Sequence, residues 1–178
     1  LSMLCDDLDI DVNELIELAN KHPRVNILKP SCGVGGHCIA IDPWFIVQKS
    51  KKNAKLIEQS RNTNISKANW VVQQIIKKAV DFERSHCKRP TITCMGLTYK
   101  PNIDDLRESP ALFITEELIK KGFKILAFEP HISFHKNIKL INQEEVGSLS
   151  DIVVFLVAHK EFFQIEHKIN LDFCGVLS

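Results

Sequence analysis

At Arg89 and Pro90 the hydrophobic period of this chain changes, and the change limits the folds open to it. Between Lys55 and Arg84 the apolar residues Leu56, Ile57, Ile65, Ala68, Val71, Val72, Ile75, Ile76, Ala79 and Val80 recur at helical spacing, the signature of a long amphipathic helix. A polar interruption from Asn62 to Ser66 predicts a kink or a break in it. After Pro90 the pattern turns to short apolar runs. Thr91–Met95, Lys124–Phe128, Asp151–Val157 and Ile169–Phe173 read as strands. A helix over Pro110–Lys121, with Ser109 as N-cap, Pro110 in its first turn and Gly122 beyond its end, separates the first two. A shorter helix is expected near Glu144–Leu149. Strands alternating with helices imply an open parallel sheet of α/β class. Residues 1–88 therefore read as a mostly helical region, and 89–178 as a Rossmann-like α/β domain.

The helical region has its own punctuation. Leu1–Asp6 reads as the end of a helix without a start, as if the chain began within a larger protein. Asp11 is a candidate N-cap with Glu14 three residues on, ahead of the stripe Val12, Leu15, Ile16 and Ala19. Pro23 ends that helix. His22 and Arg24 then stand on the loop that leads into Lys29–Asp42.

That stretch carries the chemistry. Gly33, Gly35 and Gly36 permit tight turns and close backbone approach, and they lead to Cys38, with Asp42 four residues later. A thiol delivered at a turn-to-helix junction suits a nucleophile, because a helix N-terminus favours the thiolate. The glycine spacing is not that of a dinucleotide-binding turn. From the residues alone, Cys38 reads first as a small buried hydrophobe; a metal site with Cys32 and His37 lacks the usual zinc spacing, and a Cys32–Cys38 disulfide would pinch the glycine loop. His131 and His135 would be the remaining candidates for a metal site, but they follow Pro130 in a loop.

A second loop, Leu97–Pro110, lies at the C-terminal end of the first strand, where open parallel sheets bind ligands. It offers Tyr99, Lys100 and Arg107, together with the N–H groups of a helix start near Ser109, a set suited to an anion such as a pyrophosphate. The competing reading is an ordinary charged loop in which Asp104 and Asp105 neutralise Lys100 and Arg107.

Composition excludes several classes. A formal net charge of +1 argues neither for nucleic acid nor for a membrane surface. No apolar run approaches the roughly 20 residues that span a bilayer. The six cysteines are scattered rather than densely paired, which suits reduced thiols and a cytoplasmic setting.

Gly33–Phe45, with its Gly-Val-Gly-Gly-His-Cys core and following Asp42, Pro43 and Trp44, resembles the catalytic-cysteine segment of the UDP-glucose/GDP-mannose dehydrogenase family. Gly96 and Lys100, followed by Asp105 and Arg107–Pro110, resembles the same family's nucleotide-sugar loop in the same register. The flanks His22–Leu28 and Asp42–Val47 are most similar to its branch acting on UDP-N-acetylmannosamine. The resemblance implies an NAD-dependent enzyme that oxidises the C6 alcohol of a nucleotide sugar twice, with Cys38 as nucleophile and Asp42 orienting a water or a lysine. It implies substrate contacts from His22, Arg24, Lys29, Gly35, Tyr99 and Lys100, with His22 and Arg24 serving the neighbouring subunit of a homodimer. Arg107 would reach NAD held by an N-terminal domain that lies outside this sequence. A long helix would form the spine between two Rossmann-like domains. One position departs from the pattern: Cys174 stands where the family usually has Arg or Lys, which puts substrate affinity and the last strand in question.

Overall fold

The computed structural model describes residues 1–163, 165 and 167–177. Among the described residues six α-helices and four strands follow in the order α1 (Ser2–Asp7), α2 (Val12–Asn20), α3 (Asp42–Lys49), α4 (Lys55–His86), β1 (Thr91–Met95), α5 (Pro110–Lys120), β2 (Lys124–Phe128), α6 (Gln143–Leu149), β3 (Ile152–Phe155) and β4 (Asn170–Asp172). A 3-10 turn over Lys160–Phe162, not anticipated from the sequence, lies between β3 and β4.

All strand pairs are parallel, in the order β2-β1-β3-β4, with Thr91 opposite Lys124, Ile92 opposite Ile152 and Val153 opposite Asn170. The expected α/β sheet is therefore present. Its alternation explains two cores. Ile92, Cys94, Ile125, Ala127, Ile152 and Val154 point to one face, where they meet α4 and α5. Met95, Leu126, Val153 and Phe155 point to the other, against Val146 of α6, Phe162 and Cys174. The α4 residues Ala68, Val71, Val72, Ile75, Ala79 and Phe82 belong to the first core, so the long helix and the sheet share one interior.

Local chemistry accounts for the element ends. Asp11 accepts from the N–H of Asn13 (2.7 Å) and Glu14 (3.3 Å) and so caps α2. Ser109 accepts from Leu112 N–H at α5, and Gly122 follows that helix at φ 82°. Cys87, at φ 50°, terminates α4.

The expected break at Asn62–Ser66 does not occur: α4 runs unbroken from Lys55 to His86. The polar residues there make bonds that leave the helix intact. Ser66 returns a hydrogen bond to the Thr63 carbonyl, while Asn64 leaves the helix surface to grip another segment. The third strand is also shorter than expected, ending at Phe155, because the chain beyond it turns to meet the end of β1 through Leu156 and Val157 N–H bonds to the Met95 carbonyl.

Candidate active site

The two loops singled out in the sequence are pressed together at the C-terminal edge of the sheet. Val34 N–H donates to Asn64 Oδ1 at 2.7 Å and Asn64 Nδ2 donates to the Val34 carbonyl at 3.1 Å, so α4 brackets the glycine loop at its centre. Gly36 N–H donates to the Arg107 carbonyl at 3.1 Å. A Cβ on Gly35 would fall onto the Glu108 carbonyl oxygen and 2.9 Å from Pro110 Cδ. A Cβ on Gly36, which lies at φ 92°, would come within 2.9 Å of the Tyr99 ring. The glycines are thus explained by contact between the two loops.

This contact opens a cleft of about 690 Å³ lined by Lys29, Gly35, Gly36, His37, Cys38, Tyr99 and Lys100. A smaller cavity of about 220 Å³ adjoins it, sharing Lys29, Tyr99 and Lys100 and adding Cys32, Ala111, Leu156 and Cys174. Of the residues chosen from the sequence, the fold gathers Lys29, Gly35, Cys38, Tyr99 and Lys100. His22 and Arg24 stand exposed on the turn after α2, where His22 Nδ1 accepts from Arg24 N–H at 3.2 Å, and they do not line the cleft. Asp42 is exposed as the first residue of α3 and also lies outside the cleft lining.

The Cys38 thiol is free and exposed. Its placement differs from a thiol at the helix N-terminus itself. The Cys38 carbonyl accepts from Ile41 N–H (3.0 Å) and Asp42 N–H (2.8 Å), so the thiol residue precedes α3 by one turn and its carbonyl takes up that helix's first N–H. Cys32, by contrast, is buried and donates to the Leu156 carbonyl at 3.4 Å, with burial pushing its thiol up to about 12. Cys32 and Cys38 are both free thiols, so the disulfide alternative is not formed.

The charges of the second loop divide unequally. Arg107 pairs with Asp105 through both Nε (3.0 Å) and Nη2 (2.6 Å), and this hydrogen bonding holds the Asp105 carboxyl down at about 2. The expected neutralisation is therefore real for Arg107. Lys100 makes no ion pair among the described residues; its Nζ lies 5.8 Å from the Tyr99 ring centroid. Lys29 and Lys100 are the cations of the cleft. Cys174 is buried at the inner cavity; a thiol brings no positive charge to that wall, and burial raises it so that it stays neutral there. The α5 start also differs from an open anion site: Ser109 Oγ takes the Leu112 N–H, and Gly35 covers Glu108 and Pro110.

Three features escaped sequence reasoning. Asn64 was legible only as a polar residue in an apolar stripe. Glu129 and His159, each following an apolar strand run, form a fully buried pair at 3.2 Å. His131, His159 and Glu161 bring potential metal-ligand atoms within 4.8 Å of one another. His159 Nδ1 accepts from Asn102 N–H at 3.0 Å, so its proton sits on Nε2, facing Glu129; a metal at that nitrogen would have to displace the proton. His135 is half-buried and stands outside this group.

Comparison with known proteins matches residues 1–66 to the central domain, and residues 93–178 to the UDP binding domain, of the UDP-glucose/GDP-mannose dehydrogenase family. The UDP-N-acetyl-D-mannosamine dehydrogenase of Campylobacter jejuni is 50% identical over 182 residues, covering 98% of this chain and 44% of that protein. An NDP-N-acetyl-D-galactosaminuronic acid dehydrogenase of Ralstonia nicotianae is 45% identical over 171 residues, covering 93% of this chain and 39% of that protein. The solved structure of the UDP-N-acetyl-mannosamine dehydrogenase Cap5O from Staphylococcus aureus superposes with a TM-score of 0.82 at 37% identity, over 98% of this chain and 42% of that one. The chain thus spans less than half the length of the relatives it matches. With both domain patterns met in one register and the two loops they contain joined in one cleft, the chain belongs to the UDP-glucose/GDP-mannose dehydrogenase family.

Proposed function

We propose that this chain is the catalytic-cysteine and UDP-binding part of an NAD-dependent nucleotide-sugar 6-dehydrogenase that converts UDP-N-acetylmannosamine to its uronic acid. The observation that carries the reading is the shared cleft: an exposed Cys38 thiol on one wall, Tyr99 and Lys100 on the other. Both of these relatives are named for N-acetylated sugars, and the higher identity is to the mannosamine enzyme.

Lys29 and Lys100 would offset the pyrophosphate charge, while Tyr99 supplies an apolar face to the ligand. The C6 alcohol is first oxidised to an aldehyde. The Cys38 thiolate then adds to the aldehyde carbon, forming a C–S bond and a tetrahedral thiohemiacetal that still carries the hydrogen to be removed. Loss of that hydrogen as hydride leaves a thioester, and water cleaves the C–S bond to release the carboxylate and return the thiol. Asp42, four residues from Cys38, is the candidate for orienting that water. NAD, when bound, accepts one hydride at each oxidation. Within this chain Arg107 is the residue that would face it: Asp105 occupies Nε and Nη2, which leaves Nη1 for a phosphate oxygen.

His22 and Arg24 are assigned to the cleft of a second copy, which accords with their exposure away from the cleft of their own chain. A homodimer through the helical region is supported by large apolar side chains left in water there: Leu18, Phe45, Ile46 and Leu56 are all exposed. A second reading for the 178-residue chain is nucleotide-sugar binding and self-association without turnover; the exposed apolar residues support its self-association part. No helix of the described residues is long and apolar enough to cross a membrane.

Isothermal titration of the chain with UDP and UDP-N-acetylmannosamine, with NAD as control, tests the binding part. Binding of both nucleotides supports the cleft as a UDP-sugar site; heat from NAD alone refutes it. In the complete enzyme, Cys38→Ser should stop turnover before the thioester. Release of two NADH per sugar at the parental rate would sink the mechanism.

A further inference from the structure

Beneath the Tyr99–Lys100 arm lies a buried carboxylate–imidazole pair that the mechanism does not use. The side chains of Glu129 and His159 are completely buried. Glu129 Oε2 accepts from Leu97 N–H at 2.7 Å, from Thr98 N–H at 3.3 Å and faces His159 Nε2 at 3.2 Å, while Oε1 accepts from His131 N–H at 3.1 Å. His159 Nδ1 accepts from Asn102 N–H at 3.0 Å, and the next residue, Lys160, donates its N–H to Asn102 Oδ1 at 3.2 Å. Asn102 is thereby held at φ 61°. Thr98 Oγ1, 3.2 Å from His159 Nε2, donates to the Lys100 carbonyl at 3.0 Å.

We propose that Glu129 and His159 are positioning residues for the phosphate-bearing ligand: they clamp the loop at Leu97–Thr98 and at Asn102, and so fix the intervening Tyr99–Lys100–Pro101 arm against the cleft. The inference rests on the reading of that cleft as a UDP site. An acid at the end of the second strand of a doubly wound sheet commonly reaches a ribose hydroxyl. Here both Glu129 oxygens are occupied by the protein's own donors, so the residue acts through the loop and does not touch the ligand. Burial alone would raise its carboxyl; the bonds from His159 and the backbone N–H groups more than reverse that and keep it ionised. An ionised acceptor makes these bonds shorter and stronger than neutral ones. A pre-ordered arm binds without the entropy cost of fixing a lysine-bearing loop at the moment of association.

The test compares the 178-residue chain with Glu129→Gln, His159→Leu and His159→Asn, by backbone amide exchange and by UDP titration. Glu129→Gln keeps the volume but turns one acceptor into a donor. His159→Asn can place an amide oxygen where Nδ1 stands, and His159→Leu cannot. Glu129→Gln and His159→Leu should speed exchange at Leu97, Thr98 and Asn102 by at least about tenfold, leave Ile92–Cys94 and Val153 protected, and weaken UDP binding by about tenfold or more. His159→Asn should recover most of the affinity. Faster exchange across the whole sheet with the Asn102 region no worse than the rest would show a merely structural pair and overturn the proposal. So would UDP affinity within twofold of the parent despite a freed loop. If the parent itself does not bind UDP, the cleft reading fails and the positioning role falls with it; parental binding that the variants leave unchanged defeats the positioning role alone.

Discussion

Gly35→Ala tests the seam on which the candidate site depends. A methyl at this position falls on the Glu108 carbonyl oxygen and within 2.9 Å of Pro110 Cδ. Gly35 does not occupy left-handed backbone space, so the penalty is steric and not conformational. The obstructing atoms are backbone and a proline ring held by the start of α5, which cannot turn aside as the tip of a long side chain would. Overpacking of this kind costs about 1–3 kcal/mol, and rigid neighbours place it at the upper end. Parting the loops also strains the bond from Gly36 N–H to the Arg107 carbonyl, worth about 1 kcal/mol. The sum is about 3–4 kcal/mol, a large part of the roughly 5–15 kcal/mol that holds a domain folded. At about 2–4 °C per kcal/mol for a chain of this size, the melting temperature should fall by about 6–16 °C. Calorimetry with urea melts at low temperature measures both quantities, and UDP titration of the folded variant reports whether the cleft survives. Gly147→Ala is the control. Its Cβ would meet nothing within 4 Å, and it lies inside α6, so it should gain about 0.5–1 kcal/mol. If Gly35→Ala melts within about 2 °C of the parent, the loops are not pressed together as described and the seam argument is wrong.

Other substitutions probe separate parts. Ser109→Ala removes both the donor to the Leu97 carbonyl (2.7 Å) and the cap on Leu112 N–H (3.2 Å), and should cost about 2 kcal/mol in urea melts; a loss under about 0.5 kcal/mol would refute the double role. Cys38 and Cys87 are exposed while Cys5, Cys32, Cys94 and Cys174 are buried, so a thiol reagent should titrate two thiols promptly in the native chain and all six in denaturant. A third prompt thiol would contradict the packing. Burial also raises the Cys94 thiol to about 12, above its unfolded value of about 8.5. The folded state then holds the proton more tightly, so this contribution is fully present below about pH 8.5 and is lost as pH rises toward 12. Cys94→Ala should therefore show a flatter alkaline loss of stability than the parent, and an equally steep one would exclude Cys94 as a source.

Elements whose cause is local were legible in the amino-acid order. The change of period at Pro90 separates α4 from β1, Ser109 and Pro110 start α5, and the strand Lys124–Phe128 has the bounds expected from its apolar run. The resemblance of two motifs, each a contiguous stretch, was legible for the same reason. Tertiary structure alone decided what those motifs do to each other. Asn64 reads as a helix breaker until Val34, 30 positions away, is seen to supply the partner for its amide. Gly35 reads as allowing a close backbone approach, but only the fold shows that the approaching group is the Glu108 carbonyl and that no side chain fits. Glu129 and His159 carry no local signal, and only parallel pairing with β1 brings both beneath one loop. Periodicity and capping depend on residues within a few positions of one another. The bracket, the seam and the clamp join segments that meet only when the sheet and α4 close on a shared core, and nothing in the spacing along the chain encodes that meeting.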